Sequence, residues 1–125
     1  MKLTPVLVVP SIEPVLPLWE AIGFKRTTEV PHGEVLGFVI LERDGAEIMY
    51  QTYDSVRADE PRSLEGPKKE ADVAIFVEVP DLDAVVSKLP KGTDIFVERR
   101  KTPYGATETF VRDAAGNAII FAQFG

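Results

Sequence analysis

The chain of 125 residues contains no cysteine. That absence excludes disulfides, thiolate metal sites, cysteine nucleophiles and thiol redox switching. It also removes the usual mark of a small secreted scaffold, so a reducing cytoplasm is the expected compartment. Histidine occurs once, at His32 between Pro31 and Gly33. One imidazole with no Cys and no second His cannot assemble a metal site, and it reads as a solvated turn residue. Long apolar runs are missing: none approaches the roughly 20 residues a bilayer crossing requires, and no basic segment followed by an apolar stretch opens the chain. A soluble protein without membrane contact is expected. Basic residues are outnumbered, 14 against 20 acidic, for a net charge of -6, which repels nucleic-acid phosphates and anionic lipid. Gly-rich phosphate loops, nucleophile elbows and hydrolytic triads are also lacking.

What the chain does have is an internal repeat. Val9-Pro10-Ser11-Ile12-Glu13-Pro14-Val15 returns seventy positions later as Val79-Pro80-Asp81-Leu82-Asp83-Ala84-Val85. Each copy ends a β-branched run, offers Ser11 or Asp81 as a helix cap, and opens an amphipathic segment, which together describe a strand-to-helix junction. Asp44-Gly45-Ala46-Glu47-Ile48-Met49-Tyr50 and Ala115-Gly116-Asn117-Ala118-Ile119-Ile120-Phe121 each set a turn glycine before an apolar strand, seventy-one positions apart, so one residue has been inserted. A chain of this length fits one domain that buries roughly two thirds of its extended surface.

The first module reads as a strand from Lys2 to Val9, a helix from Ser11 to Ile22 stopped at Gly23, and strands over Phe24 to Val30, Val35 to Glu42 and Glu47 to Thr52. The last two form a hairpin closed at Asp44-Gly45. Pro17 lies deep enough to tighten or kink the helix, and Trp19 shares a face with Val15 and Ile22, which points it at the core. The second module repeats the plan with Val73 to Val79, a helix from Asp81 to Leu89, and strands over Ile95 to Arg100, Glu108 to Arg112 and Ala118 to Gln123. The fold class is therefore α+β: two tandem βαβββ modules, about 1–53 and 71–125, joined by a polar linker over 54–70 that reads as a solvated connection, with a lid as its functional alternative. Two helices cover one face of the strands, and the other face must line a closed core or a concavity.

The repeat, Leu18-Trp19, Ile22-Gly23-Phe24, Pro103-Tyr104-Gly105 and Arg112-Asp113-Ala114-Ala115-Gly116-Asn117 together resemble the vicinal oxygen chelate superfamily of glyoxalases, extradiol dioxygenases, fosfomycin-resistance enzymes and bleomycin-resistance proteins. Ala114 departs from the proline often found in the family's last turn. The resemblance covers nearly the whole chain and implies a curled eight-stranded sheet, helices on its outer face, forming a cup around a small-molecule site. Family enzymes hold a divalent metal with His, Gln or Glu side chains at positions that count onto Thr4, Met49, Ala74 and Ile120 here. No such set forms from these residues, so neither metal nor other cofactor is expected, and the chain is closest in character to the metal-free bleomycin-resistance-like binders. The resemblance also implies a homodimer that completes the cup, with Pro5 as an edge-blunting or hinge residue in the first strand.

If Asp44-Gly45 closes a two-residue hairpin, Phe38 faces Gln51 and Ile40 faces Met49 on one side of the sheet, while Val39, Leu41, Ile48 and Tyr50 face the helices. The same parity puts Phe76, Glu78, Glu108, Phe110, Ile120 and Ala122 on the corresponding side of the second module. Phe38, Ile40, Met49, Gln51, Phe76, Glu78, Glu108, Phe110 and Ile120 are thus the candidate ligand-binding residues. Rings with carboxylates among them suit a small aromatic ligand that can also be cationic. The competing reading is that the rings simply meet as core. The Arg99-Arg100-Lys101 run reads as a solvated strand end. Three functions follow: a metal-independent binder that sequesters a small molecule, a family enzyme of lyase or isomerase type with an atypical or absent metal and Glu108 or Tyr104 as its chemistry, and a domain whose cup is filled by its own side chains.

Overall fold

A computed structural model describes residues 2–65 and 73–125. The chain divides into two compact units, Met1–Lys68 and Lys69–Gly125. Each is built to the same plan.

In the first unit, β1 (Val6–Val9) lies parallel to β4 (Ala46–Thr52), which is antiparallel to β3 (Val35–Arg43), which in turn pairs with β2 (Lys25–His32), giving the order β1-β4-β3-β2. In the second, β5 (Ala74–Glu78), β8 (Ala118–Phe124), β7 (Ala106–Arg112) and β6 (Asp94–Lys101) repeat that order. The duplication holds at the level of single residue pairs. Val6 faces Met49 and Phe76 faces Ile120, while Ile40 faces Met49 and Phe110 faces Ile120. The one-residue slip between the repeats therefore lies in the turn before the last strand of each module. The strands form two four-stranded sheets, one per unit, and neither is closed.

The helix of the first module does not run unbroken from Ser11. A 3-10 turn over Glu13–Val15 precedes α1 (Leu16–Ala21), and the two prolines explain the change: Pro14 and Pro17 each fall in the first turn of a short element, where a missing N–H costs nothing. Ser11 is not the cap, since the residue before the 3-10 turn is Ile12 and no side chain accepts there. In the second module the expectation holds. Asp81 accepts the Ala84 N–H at 3.1 Å and starts α3 (Leu82–Lys88), and Gln123 on β8 accepts the Leu82 N–H at 2.7 Å. Ile12, just before the 3-10 turn, and Leu82, the first residue of α3, are both buried.

Val39, Leu41, Ile48 and Tyr50 are all buried on the sheet face that meets α1. Against them pack Ile12, Val15, Leu16, Trp19 and Ile22, with Phe24 edge-on to Trp19 at 5.0 Å. Each such aliphatic side chain contributes about 1.5–3 kcal/mol of transfer free energy. Trp19 donates its indole N–H to the Tyr50 hydroxyl at 3.0 Å, so the one polar edge of each ring is satisfied inside the core. Asp44 and Gly45 both have positive φ, 51° and 83°, as a two-residue hairpin turn with matching twist requires.

The polar linker expected over 54–70 begins as ordered structure. Thr52 accepts the Ser55 N–H at 3.1 Å and caps α2 (Tyr53–Asp59), whose Val56 is buried, and Pro61–Leu64 form a second 3-10 turn. Residues 66–70 of that linker lie outside the described residues. α2 has only seven residues, about two turns, too short for apolar periodicity to announce it.

Tyr50→Phe should strand the buried Trp19 N–H and cost about 1–3 kcal/mol. Urea unfolding followed by the fluorescence of Trp19, the only tryptophan, measures it, with a red-shifted native emission as the local sign of a loosened contact.

Candidate ligand-binding site

The hairpin parity read from the sequence is the observed register. Phe38 faces Gln51 and Ile40 faces Met49, with Val8 beside Gln51 and Val6 beside Met49 on the parallel strand. All four expected residues are half-buried, on the face opposite the α1 core. Gln51 is not idle there, since its amide donates to the Ser55 hydroxyl of α2 at 3.1 Å. In the second unit Phe76 and Phe110 flank Ile120, and Glu78 and Glu108 flank Ala122, again on one face. Each unit thus brings its own expected set together.

Of the positions counted as metal ligands, Met49 and Ile120 sit centrally on these faces, Ala74 is exposed, and the Thr4 hydroxyl is 3.5 Å from Glu47. No group of three or more His, Asp or Glu side chains converges among the described residues. A thioether, a methyl and a branched alkyl group offer nothing to a hard divalent cation, so these residues do not fit the family's metal.

The second unit carries the denser chemistry. Glu108 is 1% exposed. Its two carboxylate oxygens accept from the Arg100 guanidinium at 2.8 Å and from the Tyr104 hydroxyl at 2.5 Å. Burial alone would raise the carboxyl pKa. The hydrogen bonds from Tyr104 and Arg100, with the attraction of the guanidinium, outweigh it and leave the pKa below the ordinary value of 4.5. The same contacts raise Tyr104 and Arg100, in both cases chiefly through the hydrogen bond to Glu108, so the phenol stays protonated and the guanidinium charged.

The Arg99-Arg100-Lys101 run is the exposed end of β6, as read from the sequence, but Arg100 also pairs with Glu108. β6 carries two bulges, between Ile95 and Val97 and between Val97 and Arg100. At the second, Arg99 adopts φ 46° and donates its N–H to the Thr109 hydroxyl at 3.2 Å. The extra residue re-aims the strand, and Arg100 arrives directly opposite Glu108.

Around this pair lie five rings. Phe96 meets Phe110 edge-on at 5.7 Å, and Phe124 is 6.4 Å from both Phe76 and Tyr104. Phe76, Phe96, Tyr104 and Phe124 are 40% to 55% exposed, so they do not meet as closed core. Two guanidiniums lie over rings, Arg100 over Phe110 at 5.1 Å and Arg112 over Phe96 at 4.1 Å. Sequence parity missed Phe96, Tyr104, Phe124, Arg100 and Arg112. Phe124 was within reach, because it continues the alternation of Ile120 and Ala122 by one step.

Because Glu108 titrates below 4.5 in the folded protein, its contribution to stability is complete above that value and is lost as pH falls through the depressed folded value. Thermal midpoints by circular dichroism should therefore fall below about pH 4.5, and Glu108→Gln should flatten that acid limb while lowering the midpoint at neutral pH. An acid limb of unchanged slope in the variant would contradict the assignment.

No family model matches the chain, and no curated protein sequence does either. Solved structures do. TioX from Micromonospora sp. ML1 aligns over 100% of this chain and 99% of its own, at TM-score 0.76 and 18% identity. A glyoxalase/bleomycin resistance protein/dioxygenase family enzyme from Burkholderia phytofirmans PsJN aligns over 98% and 97%, at 0.77 and 11%. A bleomycin-binding protein complexed with bleomycin aligns over 100% and 99%, at 0.68 and 14%. At such identities the likeness is one of architecture, and it agrees with the duplicated strand order and register above: the chain has the fold of the glyoxalase/bleomycin-resistance/dioxygenase proteins.

Proposed function

We propose that this protein is a metal-independent binder of small aromatic molecules. The observation that carries this reading is the group of half-exposed rings, Phe76, Tyr104 and Phe124, held on the face of the second sheet beside a buried carboxylate. Water gains nothing from such a face, whereas a flat ligand gains stacking area and displaces that water. The bleomycin-binding neighbour, whose structure contains its drug, supports a sequestering role. Phe38, Ile40, Met49 and Gln51 give the first unit an apolar ligand-facing surface of the same kind, and Phe110 and Ile120 form the floor of the second.

The two carboxylates differ in what they can offer a cation. Glu108 is compensated by Arg100 and inaccessible, so it serves as a buried anchor and not as the attracting charge. Glu78 is exposed, with no ion pair or hydrogen bond among the described residues, and it carries any preference for a positively charged group. The same geometry weighs against the enzymatic alternative. A general base needs a free lone pair within reach of substrate, and the lone pairs of Glu108 face Tyr104 and Arg100. The exposed rings also suit a homodimer in the cytoplasm, each copy shielding apolar surface of the other.

Phe76→Ala and Phe110→Ala should each cost about 1–3 kcal/mol of ligand affinity by titration calorimetry, with little change in fold. Mass spectrometry should return the ligand chemically unchanged after hours of incubation; a product that accumulates with time would establish an enzyme. EDTA should leave the thermal midpoint where it is, and one tightly held divalent ion per chain would overturn metal independence. Light scattering at micromolar concentration should give about twice the chain mass if the dimer forms.

A further inference from the structure

The proposed ligand face contains an arginine whose placement costs the protein something and whose donors are not all used. Arg100 comes opposite Glu108 through the bulges of β6, with Arg99 held at φ 46°, a conformation that residues other than glycine seldom adopt. Its guanidinium is then fixed in two directions. One N–H from Nη2 goes to Glu108 at 2.8 Å, and the planar group lies 5.1 Å from the centre of the Phe110 ring. The side chain nevertheless remains 52% exposed. A guanidinium carries more N–H donors than one carboxylate oxygen uses, in a rigid planar fork.

The neighbouring groups leave an unequal choice for the polar end of a ligand. Glu108 is buried, and its oxygens are turned toward Arg100 and Tyr104. The Tyr104 hydroxyl has committed its proton to Glu108, so it offers a ligand no donor. Arg100 also meets the Tyr104 hydroxyl, yet with its side chain 52% exposed it carries more N–H donors than Glu108 and Tyr104 take up. Arg112, the other guanidinium of the face, is less well fixed, at 3.4 Å from the Gly116 carbonyl and 3.8 Å from Asp94. Glu78, the unpaired carboxylate, lies across the sheet on β5, three strands from Arg100, about 14 Å at the usual interstrand spacing.

We propose that Arg100 is the anion-recognition residue of this site, and that the ligand class is an aromatic carboxylate whose ring lies among Phe76, Phe110, Tyr104 and Phe124 while its carboxylate meets the free edge of the Arg100 guanidinium. This rests on the binding reading above. Glu108 is the positioning residue: it holds the guanidinium at an angle that presents the fork, and it fixes the direction of the phenol proton. A cationic group elsewhere on the same ligand, near Glu78, is compatible with this arrangement.

Three probes of one shape separate the possibilities: naphthoate, naphthamide and naphthylmethylammonium, titrated by calorimetry or saturation-transfer NMR at neutral pH and low salt. Naphthoate should bind about tenfold more tightly than the ammonium probe, with the amide between them. Arg100→Gln should abolish the preference of the site for naphthoate over the amide. Because loss of Arg100 strips Glu108 of its compensating charge, Arg100→Lys is the companion variant. It keeps the charge, should keep the thermal midpoint within a few degrees, and should still lose most of the preference for carboxylate, since the planar fork is gone. If the probes bind but the ammonium matches or exceeds naphthoate, or Arg100→Gln leaves the order unchanged, the anion assignment is overturned while the aromatic site stands. If none of the three binds at millimolar concentration, the site itself is overturned and the assignment with it.

Discussion

Glu108 governs the chemistry of the second unit. A carboxylate that is 1% exposed on a sheet face must be compensated or it will take up a proton. The compensation comes from two directions, the Arg100 guanidinium across the strand pair and the Tyr104 hydroxyl from the adjoining turn. Meeting that requirement dictates local structure: β6 has to bulge to bring Arg100 opposite, and the turn over residues 102–105 has to deliver a ring. The ring then rests beside Phe124, and the guanidinium lies over Phe110. One buried charge thereby organises much of the aromatic surface.

Duplication supplies the frame on which this was built. In both units the apolar residues of the third and fourth strands alternate so that one face closes on a helix, and a one-residue slip would turn every such side chain to the wrong side. The first unit uses the opposite face conservatively, with Phe38, Ile40, Met49 and Gln51 half-buried and Gln51 tied to α2. The second has placed Glu108 at the position that corresponds to Phe38 in the repeat. The same scaffold position is therefore apolar surface in one copy and the anchor of a polar cluster in the other, which is how a duplicated fold acquires a site without changing its register.

The frame was legible in the sequence because its signals are local and periodic. Two strand-to-helix junctions seventy residues apart, the Asp44-Gly45 turn and strict alternation in β3 and β4 fix strand order and face without reference to distant contacts. Where periodicity fails, so does the reading. Two bulges in β6 shift its register, so the sequence could not show that Arg100 stands opposite Glu108, and the exposed basic run at the strand end gave no sign of that pair. Tyr104 sits in a turn, where the sequence gives no face at all. Ser11 resembled a cap because Asp81 is one, but Pro14 draws the first helical segment into a 3-10 turn that begins after Ile12. The short α2 was hidden in a polar stretch for want of enough turns to show a pattern.

The central claim is that the ring-bearing face of the second sheet is where a small molecule binds. Aromatic side-chain NMR during titration with a mixture of planar fragments tests it most directly. The account predicts that shift changes concentrate on the rings of Phe76, Phe110, Tyr104 and Phe124 and leave Phe24 and Trp19, which are buried in the first unit's core, where they were. Changes that fall elsewhere on the chain, or none at millimolar fragment, would contradict it.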